Sequence, residues 1–216
     1  MGLGYAVRSR LGKYEPAVSD MYRGAFIDLD DLATTVISLV PDATRVAEIG
    51  CGDGSMANAL VPRMPRIQYT GIDLAPTPGR LFSGDRSRAT FATRPSADLV
   101  ATDAGSFDVV LVVDVVHHVP DDQRLALLTD AAALVRPGGV LLFKDWERGA
   151  GLAHMLAYTS DRYVSGDQTV RFMPYEELRE LADKAAPGFE LVVECRIPPR
   201  RNNVLFVLRR PAGQAA

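Results

Sequence analysis

Cysteine is scarce: Cys51 and Cys195 are the only two in 216 residues, and no C-x-x-C pair exists. Two cysteines cannot build a disulfide framework, and the pattern calls for no metal. They suit a reduced, cytoplasmic setting. An excess of charge is also missing. Lys and Arg number 24 against 27 Asp and Glu, a formal net charge of -3. That balance disfavours a chain built to grip duplex nucleic acid. No apolar run approaches the roughly 18 residues that crossing a bilayer takes. The first residues, MGLGYAVRSRLGKYEP, lack the apolar centre of a signal peptide, and Ala6 stands where a myristoylation signal needs Ser or Thr. There is no internal repeat or low-complexity tract, and the final PAGQAA reads as a frayed tail.

What is present suffices for one sizeable core, since 47% of the residues are hydrophobic. Residues 1–27 are mixed, with Tyr5, Tyr14, Tyr22 and Phe26 irregularly spaced. Leu29, Leu32, Ala33, Val36, Ile37 and Val40 then recur at helical spacing until Pro41. Strand and helix signals alternate after that. Strands are expected at Arg45–Ile49, Ile67–Asp73, Ala89–Thr93, Phe107–Asp114 and Val140–Lys144, the last entered through a Pro137-Gly138-Gly139 turn. Helices are expected at Ser55–Met64 and Asp121–Val135, with at most a short one in the Pro- and Gly-rich stretch 75–88. Pro174–Ala186 is a further helix, with Glu176 and Glu177 in its first turn where the dipole favours acids. Phe189–Ile197 and Val204–Arg209 close the chain as a hairpin around Pro198, Pro199, Asn202 and Asn203.

This alternation predicts an α/β fold: seven strands in a mostly parallel sheet, helices on both faces, and an antiparallel last strand. The single domain divides into an N-terminal helical segment (1–41), a core (45–145), an irregular aromatic stretch (146–172) and a C-terminal helix and hairpin (173–210). The stretch 146–172 is long for a connector, and such loops are usually functional, often lids.

The strongest local signal is Glu48-Ile49-Gly50-Cys51-Gly52-Asp53-Gly54, where a strand turns into a helix. Glycines there permit a tight turn and a close ligand approach. The GxGxxG nicotinamide pattern fails, because Ser55 or Met56 stands where its third glycine belongs; the sequence has GxGxG. Asp73 follows Gly54 by 19 positions at the end of the second strand. An acid there can accept both hydroxyls of a ribose, which serves any adenosine-containing ligand.

VAEIGCGDG, YTGIDL, SFDVVLVVDVVHHVPD and LVRPGGVLLFKD together resemble, in order and spacing, the motifs of class I S-adenosylmethionine-dependent methyltransferases. The resemblance anchors roughly residues 45 to 145 and implies a Rossmann-like sheet with S-adenosylmethionine as cofactor. It implies that Gly50, Cys51, Gly52 and Gly54 form the loop beneath the cofactor's methionine and ribose portions, with Glu48 orienting it. It further implies that Asp73 holds the ribose hydroxyls, that Leu74 flanks the adenine, and that Asp114 faces the methionine amino group or the substrate. Asp53 reads either as a helix N-cap or as a direct cofactor contact. The Cys51 thiol reads as a small buried filler. The family's acid near the adenine is missing from its usual place; Ser96 or Asp98 stands nearest it, and Asp98 reads equally as a surface residue or cap.

Methyl transfer to a hydroxyl needs the acceptor held in line and its proton removed. The candidates for that chemistry are His117, His118, Lys144 and Asp145, which follow the fourth strand or end the fifth, where ligands of open α/β sheets bind. The alternative is that the histidines structure their turn and that Lys144 and Asp145 form a surface ion pair. His154, Tyr158, Asp161, Arg162 and Tyr163 belong to the expected lid, while Met155, Leu156 and Tyr158 read equally as core contacts. Arg196, Arg200 and Arg201 surround the hairpin, as an anion site or as a solvated cluster.

The leading expectation is a small-molecule methyltransferase acting on oxygen, with nitrogen or carbon acceptors as options. A nucleic-acid or protein methyltransferase is the alternative, although no Asn/Asp-Pro-Pro-Tyr/Phe segment is present and neither cysteine is placed as a cytosine nucleophile. A cofactor-binding protein of the same fold without methyl transfer is the third reading.

Overall fold

The computed structural model describes residues 29–148, 170–197 and 202–213. In chain order the elements are α1 (Leu29–Leu39), β1 (Arg45–Ile49), α2 (Ser55–Leu60), β2 (Gln68–Asp73), β3 (Ala89–Thr93), α3 (Ser96–Asp103) and β4 (Phe107–Val113). A 3-10 turn at Val116–His118 follows, then α4 (Asp121–Leu134), β5 (Val135–Trp146), α5 (Tyr175–Ala185), β6 (Glu190–Ile197) and β7 (Asn203–Arg209).

The seven strands form one sheet in the order β3-β2-β1-β4-β5-β7-β6. All pairings are parallel except those of β7, which runs antiparallel to both β5 and β6. β4 is apolar from Val109 to Val113 because both of its faces are covered. Val110 and Val112 pack with α3, α4 and α5 through Leu99, Leu128, Ala131, Leu178 and Ala182. Val109 and Leu111 face the other way, onto Leu32, Val36, Met56 and Leu60 of α1 and α2. The strand order reverses direction between β1 and β4, and the loops leaving those two strands therefore diverge and open a crevice at their carboxyl ends.

The sequence expectations differ from this structure in four places. Helix α3 was not expected: its sequence SADLVATD is short and fully buries only Leu99, so it carries almost no apolar stripe. α2 stops at Leu60 rather than Met64, because Pro62 has no N–H to continue the ladder. Residues 75–88 contain turns and no helix. Pro137-Gly138-Gly139 is not a turn before β5; it lies inside a twelve-residue strand, with an irregularity in the β4 register between Phe107 and Val109.

At the opposite edge from the crevice, Asp108 ties three elements together. Its Oδ2 accepts from the amides of Thr44 (2.7 Å) and Arg45 (2.8 Å), and its Oδ1 from Arg136 Nε at 2.5 Å. Burial opposes the charge, but the two amides and the guanidinium outweigh it and hold the carboxyl below its usual range. A carboxyl lowered on folding contributes stability that is complete above its unfolded value and fades as pH falls through the folded one. Asp108→Asn is expected to lose about 1.5–3 kcal/mol at neutral pH in urea unfolding. The difference from wild type should shrink in acid, and a difference independent of pH would contradict this account.

Candidate active site

The glycine loop leaves β1 at the crevice. Gly50, Gly52 and Gly54 all have positive φ, at 75°, 51° and 92°. Two of them differ in what surrounds them. A Cβ on Gly50 would lie 2.3 Å from Val115 Cγ2, so the turn after β4 packs directly on this backbone. A Cβ on Gly52 would meet nothing within 4 Å, so that glycine borders open space. Gly54 occupies the N-cap position of α2 without a side-chain cap bond, which corrects the reading of Asp53 as the cap; Asp53 Oδ1 accepts from Ser55 Oγ at 2.9 Å.

Asp73 closes the loop from β2. Its Oδ2 accepts from the Gly52 amide and its Oδ1 from the Ala75 amide, each at 2.8 Å. Both oxygens are oriented by backbone while the side chain stays partly exposed at the strand end. Leu74 beside it is 75% exposed, an unusual placement for a large apolar residue at a crevice. Glu48 is buried and accepts from the Tyr69 hydroxyl. Burial, and then the Glu48 charge, push the Tyr69 hydroxyl and the Cys51 thiol well up, so neither ionises and Cys51 is an inert filler. Open space over Gly52, an oriented carboxylate at Asp73 and an exposed Leu74 fit a ribose-bearing ligand with an adjoining flat ring.

The β4 side gathers the buried polar residues. Lys144 and Asp145 are consecutive in β5 and fully buried, at 0% and 1% exposure. Alternation along a strand sends them to opposite faces, so they are not the surface ion pair weighed from sequence. Lys144 Nζ meets Asp114 Oδ1 at 2.5 Å. Asp145 Oδ1 meets His117 Nδ1 at 2.5 Å, and its Oδ2 accepts the His117 amide at 3.1 Å. Burial alone would raise the Asp145 carboxyl; His117, the Trp146 amide and Lys144 overcome it and hold the group below its usual range. The His117 ring also stacks on Phe172 at 4.9 Å and lies 4.1 Å from His118. Asp114, His117 and Asp145 present ligand-type atoms within 4.8 Å of one another. Within that cluster Lys144 already pairs with Asp114, and His117 with Asp145.

Arg124 was not singled out from sequence. It is 3% exposed, donates from Nε to the Val119 carbonyl at 2.8 Å and from Nη2 to the Arg171 carbonyl at 3.2 Å. The Arg171 amide in turn donates to the His117 carbonyl at 2.9 Å. The signal was there: Arg124 shares a helical stripe with Leu128 and Ala131, the buried face of α4.

A family model described as a methyltransferase domain matches residues 13–194. The chain belongs to this methyltransferase family. Its open seven-stranded sheet, parallel except for β7, is the Rossmann-like form of the class I, S-adenosylmethionine-dependent methyltransferases. Among solved structures it resembles the 1,6-didemethyltoxoflavin-N1-methyltransferase of Burkholderia thailandensis, captured with 1,6-didemethyltoxoflavin and S-adenosylhomocysteine. That match has a TM-score of 0.66 at 20% identity and covers 96% of this chain and 89% of the other. Mitomycin 7-O-methyltransferase matches with a TM-score of 0.66 at 19% identity, over 94% of this chain and 60% of the other. Among curated proteins, the ubiquinone biosynthesis O-methyltransferase of Xanthomonas campestris pv. campestris is 35% identical over 145 residues, covering 64% of this chain and 56% of the relative. Its counterpart in Chromobacterium violaceum is 31% identical over 156 residues, covering 68% and 65%. The chain thus spans little more than half the length of the curated relatives it matches.

In this methyltransferase the two adenine-side candidates follow β3 directly. Ser96 sits in the first turn of α3 and donates to Asp130 Oδ2 of α4 at 2.6 Å, which joins the two helices. Asp98 is exposed in the same turn. β3 already ends at Thr93, and Pro95 opens a helix where sequence suggested a strand end. Arg196 is not part of a free cluster: it pairs with Glu147 at 2.7 Å and lies 5.3 Å from the Tyr175 ring centre. Arg200 and Arg201 lie outside the described residues, as do His154, Met155, Leu156, Tyr158, Asp161, Arg162 and Tyr163. The ends of the expected lid are described and meet: the Arg148 amide donates to the Met173 carbonyl at 2.7 Å, and Trp146, Val170 and Phe172 form a small apolar cluster.

Proposed function

We propose that this chain transfers a methyl group from S-adenosylmethionine to a hydroxyl oxygen of a small molecule. The observation that carries the reading is the buried His117–Asp145 pair beside Asp114, at the point where the sheet reverses. The cofactor, when bound, supplies a methyl group already activated by the sulfonium charge. Gly50 to Gly54 pass beneath it, Asp73 accepts from the ribose hydroxyls, Leu74 flanks the adenine, and Asp114 takes the ammonium of the methionine portion. Asp145 orients the His117 ring through Nδ1, and the imidazole would accept the proton of the acceptor hydroxyl. Its carboxylate then balances the charge gained by the ring. A hydroxyl acceptor needs such a base, and the curated relatives are named for O-methylation, which supports oxygen over nitrogen or carbon.

In this reading the chain is one methyltransferase domain. The two free cysteines suit a cytoplasmic setting, and the balanced charge suits a small molecule over nucleic acid. Among the described residues no helix is long and apolar enough to cross a membrane.

Calorimetry with S-adenosylhomocysteine tests the reading. Wild type is expected to bind it, and Asp73→Ala to weaken binding about ten- to a hundredfold, the loss of charge-assisted hydrogen bonds. Binding of NADH without binding of S-adenosylhomocysteine would overturn the assignment.

A further inference from the structure

Asp114 is the one non-glycine residue with positive φ among the described residues, at 56°. Left-handed backbone at such a residue is held only where the surroundings enforce it. Here Lys144 enforces it twice: the Asp114 amide donates to the Lys144 carbonyl at 3.0 Å, and Lys144 Nζ donates to Asp114 Oδ1 at 2.5 Å. Lys144 is fully buried, and a buried ammonium needs a counter-charge. Asp145, its chain neighbour, is engaged by His117 at 2.5 Å. Asp114 is therefore the carboxylate in contact with Lys144. With its side chain 29% exposed, it is also the end of the pair that a ligand can reach.

We propose that Lys144 competes with the ammonium of the bound cofactor for Asp114, and so weakens the protein's hold on the cofactor's amino-acid tail. This rests on the reading above, in which Asp114 receives that ammonium. Two cations then share one carboxylate, and in a water-poor site their repulsion is strong. The repulsion acts on the spent cofactor as it does on the fresh one, since both carry the same tail. Lys144 thereby favours release of product, a step that limits turnover in many enzymes.

The test compares two ligands by calorimetry. S-adenosylhomocysteine has the amino-acid tail; 5′-methylthioadenosine keeps the nucleoside and the sulfur but lacks the tail. Lys144→Met is expected to bind S-adenosylhomocysteine about tenfold more tightly than wild type, with 5′-methylthioadenosine unchanged. Lys144→Arg, which keeps the charge, is expected to stay near wild type. If Lys144→Met does not fold, Lys144→Gln replaces it with the same expectation. The inference is overturned if the neutral variant binds S-adenosylhomocysteine no more tightly, or tightens both ligands equally. Wild type binding both ligands while this comparison fails would sink the inference alone. Wild type binding neither would remove the proposed function and the inference together.

Discussion

His117→Ala is expected to slow single-turnover methyl transfer to a phenolic acceptor by about a hundredfold to ten-thousandfold, the usual contribution of a general base. Affinity for S-adenosylhomocysteine should stay near wild type, because the ring touches Asp145, His118 and Phe172 rather than the glycine loop. Asp145→Asn should act in the same direction, since it removes the charge that orients the ring and balances its proton. The pH profile separates chemistry from damage to the fold. A rise of the wild-type rate with pH that is absent in His117→Ala would mark His117 as the base. Asp145 contributes nothing to the rise, because its carboxyl lies below the usual range and stays ionised throughout mild acid. His118→Ala should cost much less, as its ring lies tilted against His117 rather than against Asp145. Near-wild-type rates and an unchanged profile in His117→Ala and Asp145→Asn would remove the pair from the chemistry.

Gly50→Ala is expected to be the most damaging single methyl in the glycine loop. Its backbone φ of 75° costs a side chain about 1–2 kcal/mol. Its Cβ would also stand 2.3 Å from Val115 Cγ2, an overpacking worth about 1–3 kcal/mol. Together these approach half of an ordinary domain's stability of about 5–15 kcal/mol. Urea unfolding measures the loss, and Val115→Ala in the same chain should recover the part due to the clash. Gly52→Ala is the contrast. It has open space around it, so it should fold with only the backbone penalty and show its defect in binding S-adenosylhomocysteine. A Gly50→Ala protein as stable as wild type would show that the Val115 contact yields freely.

Much of this methyltransferase was legible in its sequence because the informative features are local. A strand buried on both faces reads as an apolar run, as in Val109–Val113, and the run of glycines after Ile49 marks the turn by itself. The bounds of β1 and β3 follow from β-branched residues set between turn formers. Helix α3 escaped because its eight residues, half of them polar, carry no stripe to read. Arg124 escaped because a charged residue on a helix reads as solvated until something covers it.

The site chemistry divides along the same line. The sequence by itself determined that polar residues end apolar strands at Asp73, Asp114 and Lys144–Asp145, because such breaks stand out against their neighbours. Only the tertiary structure decided their partners. Pairing of Val113 with Lys144 across β4 and β5 brings Asp114 to the Lys144 ammonium, 30 positions away in the chain. The strand pleat then turns Asp145 to the other face, where the 3-10 turn delivers His117 from 28 positions away. Sheet register and the path of a turn set those distances, and both depend on packing across the whole core rather than on any one segment.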